Sequence, residues 1–316
     1  MSLSADQTRE IMERVRHIEI RTARLARETF AGQYHSVFKG RGMDFEEVRE
    51  YVPGDEVRAI DWNVTARTGR PFIKKFREER ELTIVLLVDL SASGHFGSLT
   101  QSKRELAAEV ASVLAFAAVR NNDKVGLILF TDEVEQYIPP RKGRSHVLRV
   151  VREILFFDAK RRGTDVVKAL EYANQVLKRR AVVFLLSDFL VPLRATPGTT
   201  AATGTGSSGM TPLRRTLEIT ARRHDLVGVV VSDPREAELP DVGRVLLEDA
   251  ETGEQLEIDT HDPGTRRRFA EAAETRRAGV LSTLRGAGID TLELSTAAPY
   301  LSALLRFFQR RAARLG

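Results

Sequence analysis

The sequence predicts an α/β protein: a doubly wound, mainly parallel sheet with helices on both faces, plus a small β-rich unit at the N-terminus. Three observations carry this expectation. From about Glu81 to the C-terminus, short apolar runs of strand length alternate with longer segments of helical period. Two of those runs, Leu82 to Val88 and Ala181 to Ser187, are apolar almost throughout, as strands buried on both faces must be. Each of the two is followed at once by an acid, Asp89 and Asp188. In an open parallel sheet that is where the ligand crevice lies, beyond the carboxyl ends of the strands. The expected division is 1–78 for an N-terminal helix with the β-rich unit, and 79–316 for the α/β domain.

Taken in order, the chain supports that division. Between Asp6 and Phe30, the residues Ile11, Val15, Ile18, Thr22 and Leu25 recur at helical spacing, which predicts an amphipathic helix. Met43 to Phe45 and Val48 to Val52 read as short extended segments, and Pro53-Gly54-Asp55 as a turn. Ile60 to Ala66 and Pro71 to Phe76 flank Arg67-Thr68-Gly69-Arg70 and read as a hairpin, with Trp62 as the core anchor of this unit. The acid–arginine set Asp55, Arg58, Asp61 and Arg67 reads as ion pairing that pins turns.

After the strand Leu82 to Val88 comes a helix, Gln101 to Val119, whose middle is apolar on every side and must be buried. Lys124 to Thr131 is the next strand, and Val134 to Ile138 a short one stopped by Pro139-Pro140. Ser145 to Phe156 and Val166 to Leu177 are helices, the second opened by Thr164 or Asp165 as its cap. Beyond Ala181 to Ser187 follow a helix (Leu213 to Arg223), a strand (Leu226 to Ser232), and two strands, Val242 to Leu247 and Gln255 to Asp259, flanking Glu251-Thr252-Gly253. A long helix (Thr265 to Arg285), a last strand (Asp290 to Leu294) and a closing helix (Tyr300 to Arg311) complete the chain. One stretch stands apart: Ala195 to Met210 is Gly/Thr/Ser/Ala-rich and reads as a linker. Its GxGxxG, at Gly204, Gly206 and Gly209, neither directly follows a strand nor opens a helix, which a dinucleotide fingerprint requires.

Composition removes several chemistries. The chain has no cysteine, which excludes thiolate metal sites, disulfides and cysteine nucleophiles. Its six histidines show no HxH or HExxH spacing for zinc, and there is no GxxxxGK[ST] for a nucleotide. No apolar run approaches a membrane span, and the N-terminal residues lack a signal-peptide core, so a cytoplasmic location is expected. A net charge of +5 invites a nucleic-acid reading, but the basic clusters at Arg266-Arg267-Arg268 and Arg310-Arg311 fall on helices as solvated faces, without interleaved aromatics.

What remains is oxygen chemistry at the two strand ends. Asp89, Ser91 and Ser93 carry oxygens at alternate positions on one tight turn and can converge on a hard, octahedral cation. Thr164 at a helix start and Asp188 at a strand end can reach the same rim in a doubly wound sheet. This set, Asp89-Leu90-Ser91-Ala92-Ser93, then Thr164, then Asp188, resembles the metal-ion-dependent adhesion site of von Willebrand factor A domains. The resemblance implies Mg²⁺, or Mn²⁺ in its place, held by Asp89, Ser91, Ser93, Thr164 and Asp188, with a position left open for a partner's carboxylate.

The preceding segment narrows the resemblance. Gly40 to Trp62 (GRGMDFEEVREYVPGDEVRAIDW), followed by TARTGRPF and EERE, resembles the prokaryotic family called domain of unknown function fifty-eight over essentially the whole chain from Phe38. Members are often encoded beside MoxR-type AAA+ ATPases, which implies a partner of that kind or its client, and no established reaction. The expected function is a metal-ion-dependent protein-binding adaptor and not an enzyme, with neither nucleic acid nor a membrane span. The alternative is a Mg²⁺-dependent phosphatase-like hydrolase, against which Ser91 stands where haloacid-dehalogenase-type phosphatases need a second Asp.

Overall fold

The computed structural model describes residues 22, 37, 44–77, 81–98, 101–190 and 211–315. The expected helix Asp6 to Phe30 lies outside these residues except for Thr22, which is helical and fully buried, and the Gly/Thr-rich stretch 195–210 lies outside them altogether. The chain divides into two compact units, one of Phe38–Leu82 and one of Met1–Val37 with Thr83–Gly316.

In the smaller unit, strand β1 (Asp44–Glu50) pairs antiparallel with β2 (Phe72–Arg77). Asp55 holds the intervening turn, accepting the Val52 amide at 2.9 Å and both Arg49 guanidinium nitrogens at 2.7 and 2.9 Å. Where the sequence suggests a hairpin strand, Ile60 to Ala66, the structure instead has helix α1 (Trp62–Thr68). Local capping overrides the alternating pattern: the Asp61 carboxylate accepts the amides of Asn63 and Val64, and Gly69 ends the helix at φ 72. Asp61 thus acts as a helix cap. Trp62 sits on this helix and is 67% exposed, so it is not the core anchor the sequence suggests.

The larger unit is organised on a six-stranded sheet. Its strands are β3 (Thr83–Asp89), β4 (Lys124–Phe130), β5 (Val134–Arg141), β6 (Val182–Ser187), β7 (Asp225–Ser232) and β10 (Asp290–Ser295), in the order β10-β7-β6-β3-β4-β5. All neighbours run parallel except β5, an antiparallel edge. Five helices alternate with these strands: α2 (Lys103–Arg120), α3 (Arg144–Phe156), α4 (Val166–Val176), α5 (Pro212–Arg223) and, after a hairpin, α6 (Pro263–Gly286). Helix α7 (Tyr300–Leu315) closes the chain. The hairpin is β8 (Arg244–Glu248) with β9 (Gln255–Asp259), a separate two-stranded ribbon beside the main sheet.

Alternation along β3 explains why both faces are covered. Val85 and Leu87 join one core with Val166 and Leu170 of α4, Leu213 and Leu217 of α5 and Leu284 of α6. Ile84, Leu86 and Val88, fully buried as well, face the opposite side. Helix α2 packs against β3, β4 and β7 and against α3, and is buried from Leu106 to Ala118 apart from Glu109. Each fully buried Leu, Val or Phe contributes about 1.5–3 kcal/mol, so these two apolar layers hold the sheet without help from any ligand. A capping box, Ser102 with Glu105, fixes the start of α2.

Two expectations are corrected here. Strand β5 does not stop at Ile138 but runs through Pro139 and Pro140 to Arg141. Only an edge strand tolerates this, because the missing amides leave no neighbour unpaired. The Pro140 ring lies against Gly126 of β4, where a Cβ would stand 2.8 Å from its Cγ, so only glycine admits it. The second correction concerns Arg311, read as part of a solvated face. It is 6% exposed and ties α7 to the start of the sheet, donating to Asp225 and, at 2.8 Å, to Asp290.

Candidate metal centre

The sheet order places a crevice before any side chain is considered. The chain builds outward from β3 to β4 and β5, then returns to the other side of β3 for β6, β7 and β10. The direction reverses between β3 and β6, and in open α/β sheets ligands bind at that switch point beyond the strand ends. Asp89 is the last residue of β3, and Asp188 follows the last residue of β6.

Their side chains meet there. The Asp89 carboxylate accepts the Ser91 amide at 2.9 Å and the Ser187 hydroxyl at 2.6 Å. The hydroxyls of Ser91 and Ser93 stand 3.0 Å apart, and Ser93 donates to Asp188 Oδ2 at 2.7 Å. Four of the five expected ligands therefore form one connected set, at a small cavity whose lining includes Asp89, Ser91, Lys103, Ser187 and Asp188. The chain turns sharply after Asp188. Phe189 takes φ 54, a conformation that costs a bulky residue ~1–3 kcal/mol and persists because its side chain is buried in the core.

Thr164 is placed differently. Its loop is fastened to the serine turn, the Ala92 amide donating to the Arg162 carbonyl at 2.9 Å. Its hydroxyl, however, donates to Glu251 Oε1 at 2.7 Å. Asp165, not Thr164, caps α4.

Two participants were not singled out from the sequence. Lys103, in the first turn of α2, has a side chain only 2% exposed, and its ammonium donates to Asp188 Oδ2 at 2.6 Å and to Glu236. Burial alone would lower its pKa, but the carboxylates of Asp188 and Glu236 outweigh that and the net shift is upward. Burial pushes the Glu236 carboxyl up, and Lys103 pulls it back only part of the way. A signal existed. A lysine in a helix's first turn opposes the helix dipole, so Lys103 at the head of an apolar helix needs carboxylates nearby.

Asp233 repeats the Ser-Asp strand ending on β7 without sharing the role. Its carboxylate is buried and accepts the Ser98 amide at 3.0 Å, the Ser98 hydroxyl at 2.5 Å and the Thr296 hydroxyl at 2.6 Å. Those bonds outweigh its burial and hold its pKa low, so Asp233 is a clamp joining three loops.

The donor set suits a hard cation in kind: all its atoms are oxygen, from two carboxylates and three hydroxyls. Among the described residues no three His, Asp or Glu side chains gather where a metal could be held, so the hydroxyls would have to supply ligands. Electrostatics point the same way. Asp89 is pushed up to about 7, first by burial of its carboxyl and then by the charge of Asp188, against the bonds from Ser187 and Ser91. The charge of Asp188 and the burial together favour a proton on Asp89, while Lys103 sits against Asp188.

A mainly parallel sheet in this order, with an antiparallel edge and an Asp-x-Ser-x-Ser turn at its switch point, is a von Willebrand factor A-like domain. The chain belongs to the family described as protein of unknown function DUF58, whose model matches residues 47–279. It is similar to the uncharacterized protein Rv1480 of Mycobacterium tuberculosis, at 35% identity over 289 residues, covering 90% of this chain and 85% of that protein. A shorter match is to the uncharacterized protein YeaD of Bacillus subtilis, 29% identical over 107 residues, covering 34% of this chain and 25% of that protein.

Among solved structures, the SpRpn10 VWA domain overlaps 71% of this chain and 93% of its own at 13% identity and a TM-score of 0.36. The conserved hypothetical protein BatB of Bacteroides thetaiotaomicron overlaps 73% and 99%, at 15% identity and a TM-score of 0.42. Both overlaps are loose, and the fold assignment rests on the strand order. Among the described residues, no helix is long and apolar enough to cross a membrane.

Proposed function

We propose that this protein is a cytoplasmic adaptor that captures a partner protein through a divalent cation, Mg²⁺ or Mn²⁺, at the β3–β6 switch point. The observation that carries the reading is the connected set of Asp89, Ser91, Ser93 and Asp188, of which Asp89, Ser91 and Asp188 line one small cavity. Ser91, Ser93 and Thr164 would hold the ion by their hydroxyls, with Asp89 and Asp188 as direct or water-bridged ligands. Bound there, the ion supplies positive charge at an open position that a partner's carboxylate can fill.

The chain's own residues define the rest. Asp89 and Asp188 concentrate negative charge at the rim, Ser187 and the Ser91 amide hold Asp89 in place, and Lys103 keeps Asp188 from turning away. The partner best supported by the family resemblance is a MoxR-type AAA+ ATPase or its client.

Surface plasmon resonance with a MoxR-type ATPase from the same genome tests the proposal. Capture is expected in Mg²⁺, with a loss of tenfold or more on adding a chelator and in Asp89→Ala. Capture indifferent to both would overturn the ion's role. Phosphate-ester hydrolysis dependent on Mg²⁺ and Asp89 would put an enzyme in the adaptor's place.

A further inference from the structure

Positive charge collects at the end of the sheet away from the crevice, where α4 and α5 finish beside the amino ends of β6 and β7. The strand pairing joins the two helix ends. The Asp225 amide donates to the Ala181 carbonyl at 2.8 Å, and the Ala181 amide to His224 Nδ1 at 3.3 Å. This sets Lys178-Arg179-Arg180, the exposed loop before β6, beside Arg222 and Arg223, exposed in the last turn of α5. Arg180 and Arg223 both stand near enough to His224 for their charges, after burial, to lower its pKa. Helical spacing adds Arg215 and Ile219 on the outer face of α5, with Ile219 43% exposed among the arginines. Among the described residues no acid pairs with any of these six cations, whereas Arg214, on a neighbouring face, is held by Glu218 at 3.2 Å. Asp225 is already taken by Arg311. Helix C-termini favour cations, which accounts for basic residues here but not for the isoleucine exposed between them. That isoleucine also bears on the class of ligand. A phosphate backbone offers it nothing, and neither the loop nor α5 carries a Phe, Tyr or Trp on which a base could stack.

We propose that this surface docks an acidic segment of a partner protein, with carboxylates on the arginines and lysine and an apolar side chain seated on Ile219. It does not rest on the cation reading, since the crevice lies beyond the carboxyl ends of β3 and β6 and this surface lies at the amino ends of β6 and β7. An adaptor joins two proteins and needs two such faces; this one binds by charge and apolar contact without metal.

The test uses the full chain and a fluorescent peptide of glutamates and leucines at helical spacing, titrated in chelator and followed by anisotropy. Binding is expected in chelator as in Mg²⁺, and it should weaken as salt is added. Arg222→Gln/Arg223→Gln is expected to weaken it by about tenfold, and Ile219→Ala by about threefold. Arg141→Gln/Arg149→Gln removes the same charge at the far edge of the sheet, from β5 and α3, and is expected to change little. Equal losses in the two double variants would reduce the effect to net charge and overturn the proposal. Binding that is lost in chelator would overturn it as well. So would duplex DNA or phosphatidylserine vesicles binding more tightly than the peptide, with Ile219→Ala silent, which would assign the surface to phosphate groups. All the replaced side chains are exposed, and thermal melts check that each variant is folded.

Discussion

Lys103→Met is expected to lower the melting temperature by on the order of 10 °C. The substitution keeps the length and apolar stem of the side chain and removes only the ammonium. Asp188, 5% exposed, and Glu236, 21% exposed, would then face each other without the charge between them. Breaking a buried pair by removing one partner costs about 3–5 kcal/mol, because the remaining charge stays desolvated. In a domain of this size each kcal/mol moves the midpoint by about 2–4 °C. Thermal unfolding followed by circular dichroism reads the shift directly. A change under about 2 °C would mean that water, not Lys103, neutralises the site.

The second large effect is on pH dependence and comes from Asp89. Its carboxyl is held at about 7 in the folded protein, above the ordinary aspartate value of 3.8. Between those two values the folded state keeps a proton that the unfolded chain has released. Stability therefore falls as pH rises from about 4 to about 7 and is flat for this group above that. Each pKa unit is worth about 1.4 kcal/mol, so the metal-free wild type should lose a few kcal/mol across the window. Asp89→Asn, which has no proton to lose, should lack this slope and be the more stable of the two in chelator at pH 8. Urea melts from pH 4 to pH 8 would decide it, and parallel slopes for the two proteins would contradict the account.

How much of this was legible in the sequence follows from the range of the forces involved. Strands β3 and β6 and the acids that follow them were legible because a doubly buried strand leaves an uninterrupted apolar run that only a polar residue at its end breaks. The Ser91–Ser93 turn was legible because its three oxygen-bearing residues are local in sequence. Lys103 and Glu236 were not. A lysine in the first turn of an apolar helix signals a nearby carboxylate, but which one shows only when the fold brings Asp188, 85 residues away, within 2.6 Å. Glu251 was passed over as a turn residue for the same reason, its partner Thr164 lying 87 residues back.

The errors of element type have local causes as well. In α1 the order Trp62, Val64, Ala66 mimics strand alternation, and only the Asp61 cap and the left-handed Gly69 reveal the helix. In β5 the two prolines signalled a stop, yet the strand lies at the sheet edge and continues past them.

The central claim, a cation at the β3–β6 switch point, is tested most directly by growing crystals in Mn²⁺ and locating the metal by its anomalous scattering. The account predicts a single strong peak about 2.0–2.2 Å from the Ser91 and Ser93 hydroxyl oxygens, the distance of an octahedral ion of this kind. The same peak would lie within direct or single-water reach of Asp89 and Asp188. A map with no peak there, and the Lys103 ammonium alone against Asp188, would contradict it.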